Sequence, residues 1–364
     1  MGMIMQTIKI KVLDKYLIWE LLKNFIYSLI FFTTLLLVVR FGEKEIGTFI
    51  AKKMSLLSSL KSLLLQVPGY IIQIAPPSML FATFFSLGRM AQNNEITAMK
   101  ACGISLYRVF MPVFVTSLLI TFLMIAFNDQ VVTWATGKDI DIKGLNPQTP
   151  GTASKVVFIS SGSHVFYIDY ISLHDRSMNN VTIYEMNEDN SVKSDVFAKE
   201  ASWSGKVWSL KNGVTRIFNE GRWIETPFRQ KDIVVSEDPE IMVKGSQSQQ
   251  RMTLLELSKL IGYKKKTGQV VRKDLVSFHS RISFPFACFV MAVLGAPLFI
   301  MFGRSGMAVG FLLTMFITFI YWGIAIAIFE ALGNNGKLPA MLSCWTANLL
   351  FMAIGAVFVY KVKK

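Results

Sequence analysis

Six stretches of this chain contain no charged residue: residues 24–39, 62–88, 109–128, 282–303, 305–329 and 338–360. A hydrocarbon layer roughly 30 Å thick is crossed by about 20 residues of helix. Five of the runs reach that length alone, and the first reaches it once residues 16–22 are added, with Glu20 and Lys23 able to extend to the headgroups. Core helices of water-soluble proteins are rarely uncharged for so long. The pattern therefore predicts six transmembrane helices, at about 17–39, 62–88, 107–128, 282–303, 305–330 and 338–360. The N-terminus does not read as a cleavable signal, because its apolar run starts late and no small-residue cleavage site precedes Arg40.

Charge is partitioned along the chain. Residues 129–280 hold 20 Lys/Arg and 18 Asp/Glu, so this insert is nearly neutral, and +12 of the +14 net charge belongs to the membrane halves. A nucleic-acid binder needs a basic patch on a folded domain, which this distribution argues against. In the short loops, a cytoplasmic N-terminus puts eleven Lys/Arg inside and six outside, which favours cytoplasmic ends and an external insert. Cys288 and Cys344 fall in spans and Cys102 in a short loop, so the insert folds without disulfides.

The insert reads as antiparallel β. Residues 155–160, 164–170, 181–186, 207–210, 214–218 and 232–235 are short and rich in Val, Ile, Phe, Tyr and Trp, with turn-formers at 161–163, 187–190 and 211–213. That spacing suggests a sandwich, jelly roll or barrel. Residues 253–267 then switch to helical period, with Thr253 and Glu256 as a capping box and Gly268 as the stop. The expected domains are 1–128 with three helices, 129–252 as the β domain, 253–280 as a helical connector and 281–364 with three more helices.

The residues offer little to catalysis. His164, His174 and His279 share no ligand spacing, no metal motif is expected, and the acid pairs Asp139/Asp141 and Asp238/Glu240 lie in loop-like stretches. No G-x-x-x-x-G-K-[ST] sequence occurs, so the chain has no P-loop of its own. The span interiors hold Gln66, Gln73 and Asn348 but no ionisable group, which weakens an ion-coupled carrier. Pro68, Pro76, Pro77, Pro285 and Pro297 predict kinks, and Gly306-x-x-x-Gly310 is a weak helix-contact signal.

Two polar features remain. Between the second and third spans, Asn94 can cap a short interfacial helix that begins at Glu95, carries Ile96 and Met99 on one face and ends at Gly103; on the residues alone a solvated turn is the favoured alternative. Outside, Arg40 closes the first span and Lys44, Lys52, Lys53 and Lys61 follow it, against the inside bias. They serve either as membrane anchors or as ligands for lipid phosphates, for which Arg is the better bidentate donor.

Leu13-Asp14-Lys15-Tyr16-Leu17, Asn94-Glu95-Ile96-Thr97-Ala98-Met99-Lys100-Ala101-Cys102-Gly103 and Trp345-Thr346-Ala347-Asn348-Leu349-Leu350 resemble the LptF/LptG lipopolysaccharide export permeases, over essentially the whole chain. Residues 40–43 are closer to the LptG-type and residues 101–105 to the LptF-type, with the balance favouring LptG. The resemblance implies an inner-membrane permease with a periplasmic, jellyroll-like all-β domain. It also implies a homologous permease partner, a separate cytoplasmic ABC ATPase dimer that uses the ATP, and a periplasmic jellyroll bridge. By the same resemblance, Glu95, Asn94, Ile96 and Met99 become ATPase-coupling residues, and Arg40, with Lys44, Lys52 and Lys53, a binding site for lipopolysaccharide phosphates. No cofactor is expected on this chain. The competing reading is a membrane-anchored sensor or adaptor whose β domain binds a ligand without transport. A third, an autonomous carrier, would transport without partners.

Overall fold

The computed structural model describes residues 12–40, 56–142, 152–160, 164–187, 192–205, 207–219, 222–234, 239–246, 249–266, 269–302 and 307–361. The chain divides into two compact units, Met1–Asp139 with Leu275–Lys364, and Ile140–Asp274.

The first unit is helical. It contains α1 (Val12–Arg40), α2 (Leu56–Gln92), the short α3 (Glu95–Ala101) and α4 (Leu106–Phe127). After α4 come a π-helical segment (Asn128–Val132) and α5 (Thr133–Ile142). The chain returns as α8 (Arg272–Phe302), α9 (Met307–Phe319), a second π segment (Ile320–Ile326), α10 (Ala327–Asn334) and α11 (Ala340–Lys361). Among the described residues, six helical stretches are long and apolar enough to cross a membrane.

Without water in the bilayer, backbone groups released by proline need internal partners. Pro285 in α8 cannot donate to the carbonyl of Arg281, and the Asn128 amide donates to it instead, at 3.2 Å. Asn348 of α11 donates to the Ser283 carbonyl at 2.7 Å and accepts from the Tyr321 hydroxyl at 2.8 Å, tying three spans together. Small residues allow close approach elsewhere: a Cβ on Gly295 would stand 3.1 Å from Leu80, and one on Gly355 3.1 Å from Val293.

Three expectations change here. The helix of the third span does not stop at residue 128: it runs on through the π segment to Ile142. Asp139 and Asp141 are therefore helical: Asp139 is buried and accepts a hydrogen bond from Ser62, and Asp141 pairs with Arg251 at 2.6 Å. Glu20 does not reach for headgroups. It is 6 % exposed and held by Lys23 at 2.7 Å and Arg89 at 3.6 Å.

The second unit is built on six strands: β1 (Thr152–Ile159), β2 (His164–Ser172), β3 (Ser177–Met186), β4 (Val192–Trp203), β5 (Val207–Asn219) and β6 (Arg222–Val234). They form an antiparallel meander in chain order. The inward side chains follow an unusual arithmetic. Val156, Ile168, Val181, Ala198 and Gly213 form one buried row across β1 to β5. Ala153, Ile171, Met178, Ala201 and Leu210 form a second. In every one of these strands the rows are three residues apart, whereas regular alternation returns a side chain to the same face after two. A break in alternation thus crosses the sheet along one line, and Asn180 (φ 48°) and Asn212 (φ 53°), both left-handed, lie on it. The offset turns both halves of the sheet towards one core, which α6 (Pro239–Ser246) completes with Met242 and Val243.

The turn expected at 211–213 is accordingly a kink inside β5. Asn212 supplies the positive φ that its composition signals, but the strand continues. β4 was not among the expected strands, because Lys193, Asp195, Lys199 and Glu200 dilute its β-formers. β6 begins ten residues earlier than expected; it is last in the sheet order, an edge position of the kind in which a proline such as Pro227 is tolerated. The expected turn at 161–163 lies outside the described residues, as do residues 188–190, Gly268 and Gly306. α7 (Leu254–Lys266) opens on the expected capping box, with Thr253 N donating to Glu256 Oε2 at 3.1 Å and Glu256 N to Thr253 Oγ1 at 3.3 Å.

Candidate functional site

Glu95 and Arg40, one from each set of predicted residues, lie at opposite ends of α1. At its beginning, α2 ends at Gln92 and α3 starts three residues later. Asn94 makes this turn in a left-handed conformation (φ 59°, ψ 12°), without the expected side-chain cap bond. Asparagine tolerates that region better than other non-glycine residues. The far end of α3 closes with Gly103 at φ 78°: Gly103 N donates to Lys100 O and Ile104 N to Met99 O, both at 2.9 Å. This is a complete Schellman stop, so α3 is held at a defined length.

Glu95 is half-buried and held on both oxygens. The Tyr16 hydroxyl donates to Oε2 at 3.2 Å and the Asn93 amide to Oε1 at 3.1 Å. Ile96 is buried at 6 % exposure, and Met99 packs on the same core as Leu17 and Leu21. Of the four predicted coupling residues, the structure therefore leaves Asn94 and part of Glu95 outward, while Ile96 and Met99 seat the helix on its own unit. The open face of α3 consists of Thr97, Ala98, Lys100 and Ala101. Sequence reasoning missed Tyr16, Asn93 and the Arg108–Asp14 ion pair (2.7 Å) beside it. Tyr16 is in one of the quoted motifs, but sequence separation hides its partner.

At the other end, Arg40 closes α1 and lines a cavity of about 360 Å³ with Phe32, Val39, Ile74, Pro77 and Trp322 among its walls. Among the described residues that line it, Arg40 is the one that carries a charge. A second cavity of about 620 Å³ lies further along α1, walled by Tyr27, Phe31, Phe81, Phe85 and Phe311. Phe32 stacks on Phe311 (centroids 6.1 Å apart) and meets Phe81 edge-on at 5.9 Å. Largely apolar walls that include a guanidinium suit an amphiphile with a hydrocarbon body and an anionic head. Lys44, Lys52 and Lys53, predicted to join Arg40, lie outside the described residues.

Comparison with known proteins agrees with this architecture. The lipopolysaccharide export system permease protein LptF of Escherichia coli strain K12 is 24% identical over 367 residues, covering 95% of this chain and 94% of that protein. The LptF protein of Shigella flexneri matches to the same extent. LptG of E. coli K12 is 22% identical over 246 residues, 64% of this chain and 65% of that protein. These relatives are permease proteins by name, and the described helices make this chain a multi-pass membrane protein. The family model described as "Lipopolysaccharide export system permease LptF/LptG" matches residues 15–361, nearly the whole chain, which therefore belongs to the LptF/LptG family of lipopolysaccharide export permeases.

Proposed function

We propose that this chain is one permease subunit of an ABC-type exporter in the inner membrane, with its ends in the cytoplasm and its β unit in the periplasm. It pairs with a homologous permease and a cytoplasmic ATPase dimer that consumes the ATP. It draws lipopolysaccharide from the periplasmic leaflet and passes it to a periplasmic jellyroll bridge. One observation carries the reading: a single helix, α1, joins a loop-helix site at Glu95 to a largely apolar cavity that Arg40 helps to line.

In this mechanism, α3 docks in a groove of the ATPase through Asn94, the edge of Glu95 and the small outward residues Thr97, Ala98 and Ala101. Ile96 and Met99 hold α3 to the membrane unit from beneath. Closure of the ATPase on ATP displaces α3, and the cavities along α1 narrow. Arg40 holds a lipid phosphate while the aromatic walls carry acyl chains. Lys44, Lys52 and Lys53 extend the cationic site. The broken-alternation sheet then receives the acyl chains on its inner face.

The test is reconstitution of the full chain with its partner permease and ATPase in vesicles containing lipopolysaccharide, following ATP hydrolysis and lipid release together. Glu95→Lys lowers hydrolysis at least about tenfold, as expected for reversing a charge at a docked interface. In the same vesicles Arg40→Glu lowers lipid crosslinking to α1. Normal hydrolysis with Glu95→Lys overturns the coupling assignment, and unchanged crosslinking with Arg40→Glu overturns the phosphate site.

A further inference from the structure

We infer that Tyr16 is a positioning residue that fixes Glu95, and that through it and two neighbouring ties α1, rather than α2, is the lever between the loop helix and the lipid cavities. The inference rests on the coupling role proposed for α3 and adds the path by which its displacement travels.

The first turns of α1 make polar ties to three successive elements. Asp14 accepts from Arg108 of α4 at 2.7 Å, Tyr16 donates to Glu95 of α3 at 3.2 Å, and Glu20 faces Arg89 of α2 at 3.6 Å. Between these ties Leu17 and Leu21 are 2 % and 0 % exposed, packed in the same cluster as Ile96. The start of α1 and the whole α2–α3–α4 corner are therefore one packed body.

From that corner, three helices lead away; α4 carries Pro112 in its interior and supplies none of the described lining residues of either cavity, which leaves α1 and α2. α2 is continuous with the turn into α3, but it carries Pro68, Pro76 and Pro77 in its interior. Each proline deletes a backbone hydrogen bond, and a push on one end of such a helix is absorbed by bending. α1 has no proline in its 29 residues, about 42 Å at roughly 1.5 Å per residue. It lines both cavities and ends at Arg40. A rigid rod fastened to α3 at one end and bearing the cavity cation at the other converts movement of α3 into movement of the lipid-facing wall.

The experiment uses the same reconstituted complex and reads lipid released per ATP hydrolysed. Tyr16→Phe keeps the ring and its packing but removes the hydroxyl. ATP hydrolysis persists, while lipid released per ATP falls about tenfold, the scale of one lost hydrogen bond to a charged group. Asp14→Arg lowers the same ratio and adding Arg108→Asp restores it, which assigns the loss to this ion pair, while an unchanged midpoint of thermal unfolding for Asp14→Arg separates lost transmission from lost structure. The lever is overturned if the Tyr16→Phe ratio is unchanged, or if the Asp14/Arg108 exchange fails to restore it. Glu95→Lys, run beside them, separates the two ideas. Loss of hydrolysis there with an unchanged Tyr16→Phe ratio removes the lever and leaves the coupling site standing, whereas normal hydrolysis removes the coupling site itself.

Discussion

Asp195 on β4 is 5 % exposed, with the Arg216 guanidinium at 3.6 Å; that guanidinium also serves Glu225 at 2.9 Å. Burial raises the Asp195 carboxyl above its ordinary value, against the pull of Arg216, and Glu225 adds to the rise. A carboxyl raised on folding is a charge the folded state disfavours. The penalty is present in full above the folded pKa and vanishes as pH falls below the unfolded one. Asp195→Asn therefore slows amide exchange in β4 and β5 of the full-length protein at neutral pH, and the difference from the native chain closes on acidification through the carboxylate range. Slower exchange that persists in acid would show another cause. Glu185 is the opposite case: its bond from Lys193 lowers it, so its contribution is lost as pH falls. Single residues also mark the limit of sequence reading. Asn212 carries a turn signal and does take the left-handed conformation. The strand nonetheless continues past it, and its neighbour Gly213 is packed so closely that a Cβ would overlap the Phe197 carbonyl and the Phe228 ring.

Among the elements, the spans were legible because excluding charge from a bilayer is a strong and local constraint. Their ends were not. Asp129 looked like a terminus, yet the helix passes it through five π-helical residues that place Asn128 against the Arg281 carbonyl. This side chain takes over a bond that proline deletes at the start of the fourth span. Asn128→Ala therefore costs about 1 kcal/mol, the upper range for such bonds between spans. It lowers the midpoint of thermal unfolding in detergent, and Asn128→Asp, which has no amide to donate, does the same. An unchanged midpoint for both would show that the carbonyl is satisfied otherwise. In the β unit, β4 and the first ten residues of β6 escaped notice because charged residues and a proline obscure strands whose pairing is decided by distant neighbours. The candidate site was half legible. Glu95 and Arg40 announce themselves as lone charges beside apolar runs, but the inward turn of Ile96 and Met99 and the reach of Tyr16 are tertiary facts.

At the scale of the molecule, the three cysteines offer a test of orientation without disturbing the core. Cys102 is exposed beside α3, Cys288 is buried, and Cys344 is half-buried with its thiol donating to the Val276 carbonyl. Ser204 is exposed in the β4–β5 turn. In intact cells with a permeable outer membrane, an impermeant thiol reagent labels Ser204→Cys and spares Cys102; in inverted vesicles the pattern reverses. Labelling in the opposite sense would turn the proposed topology over.

The three-residue offset that crosses the β unit also governs how that unit can change over generations. Adding or removing one residue within a strand would swap its inside for its outside beyond the edit, and every partner strand would have to make the same edit at the same line. Hairpin tips carry no such obligation. Length can drift there, while the interior of the sheet is locked to a shared count.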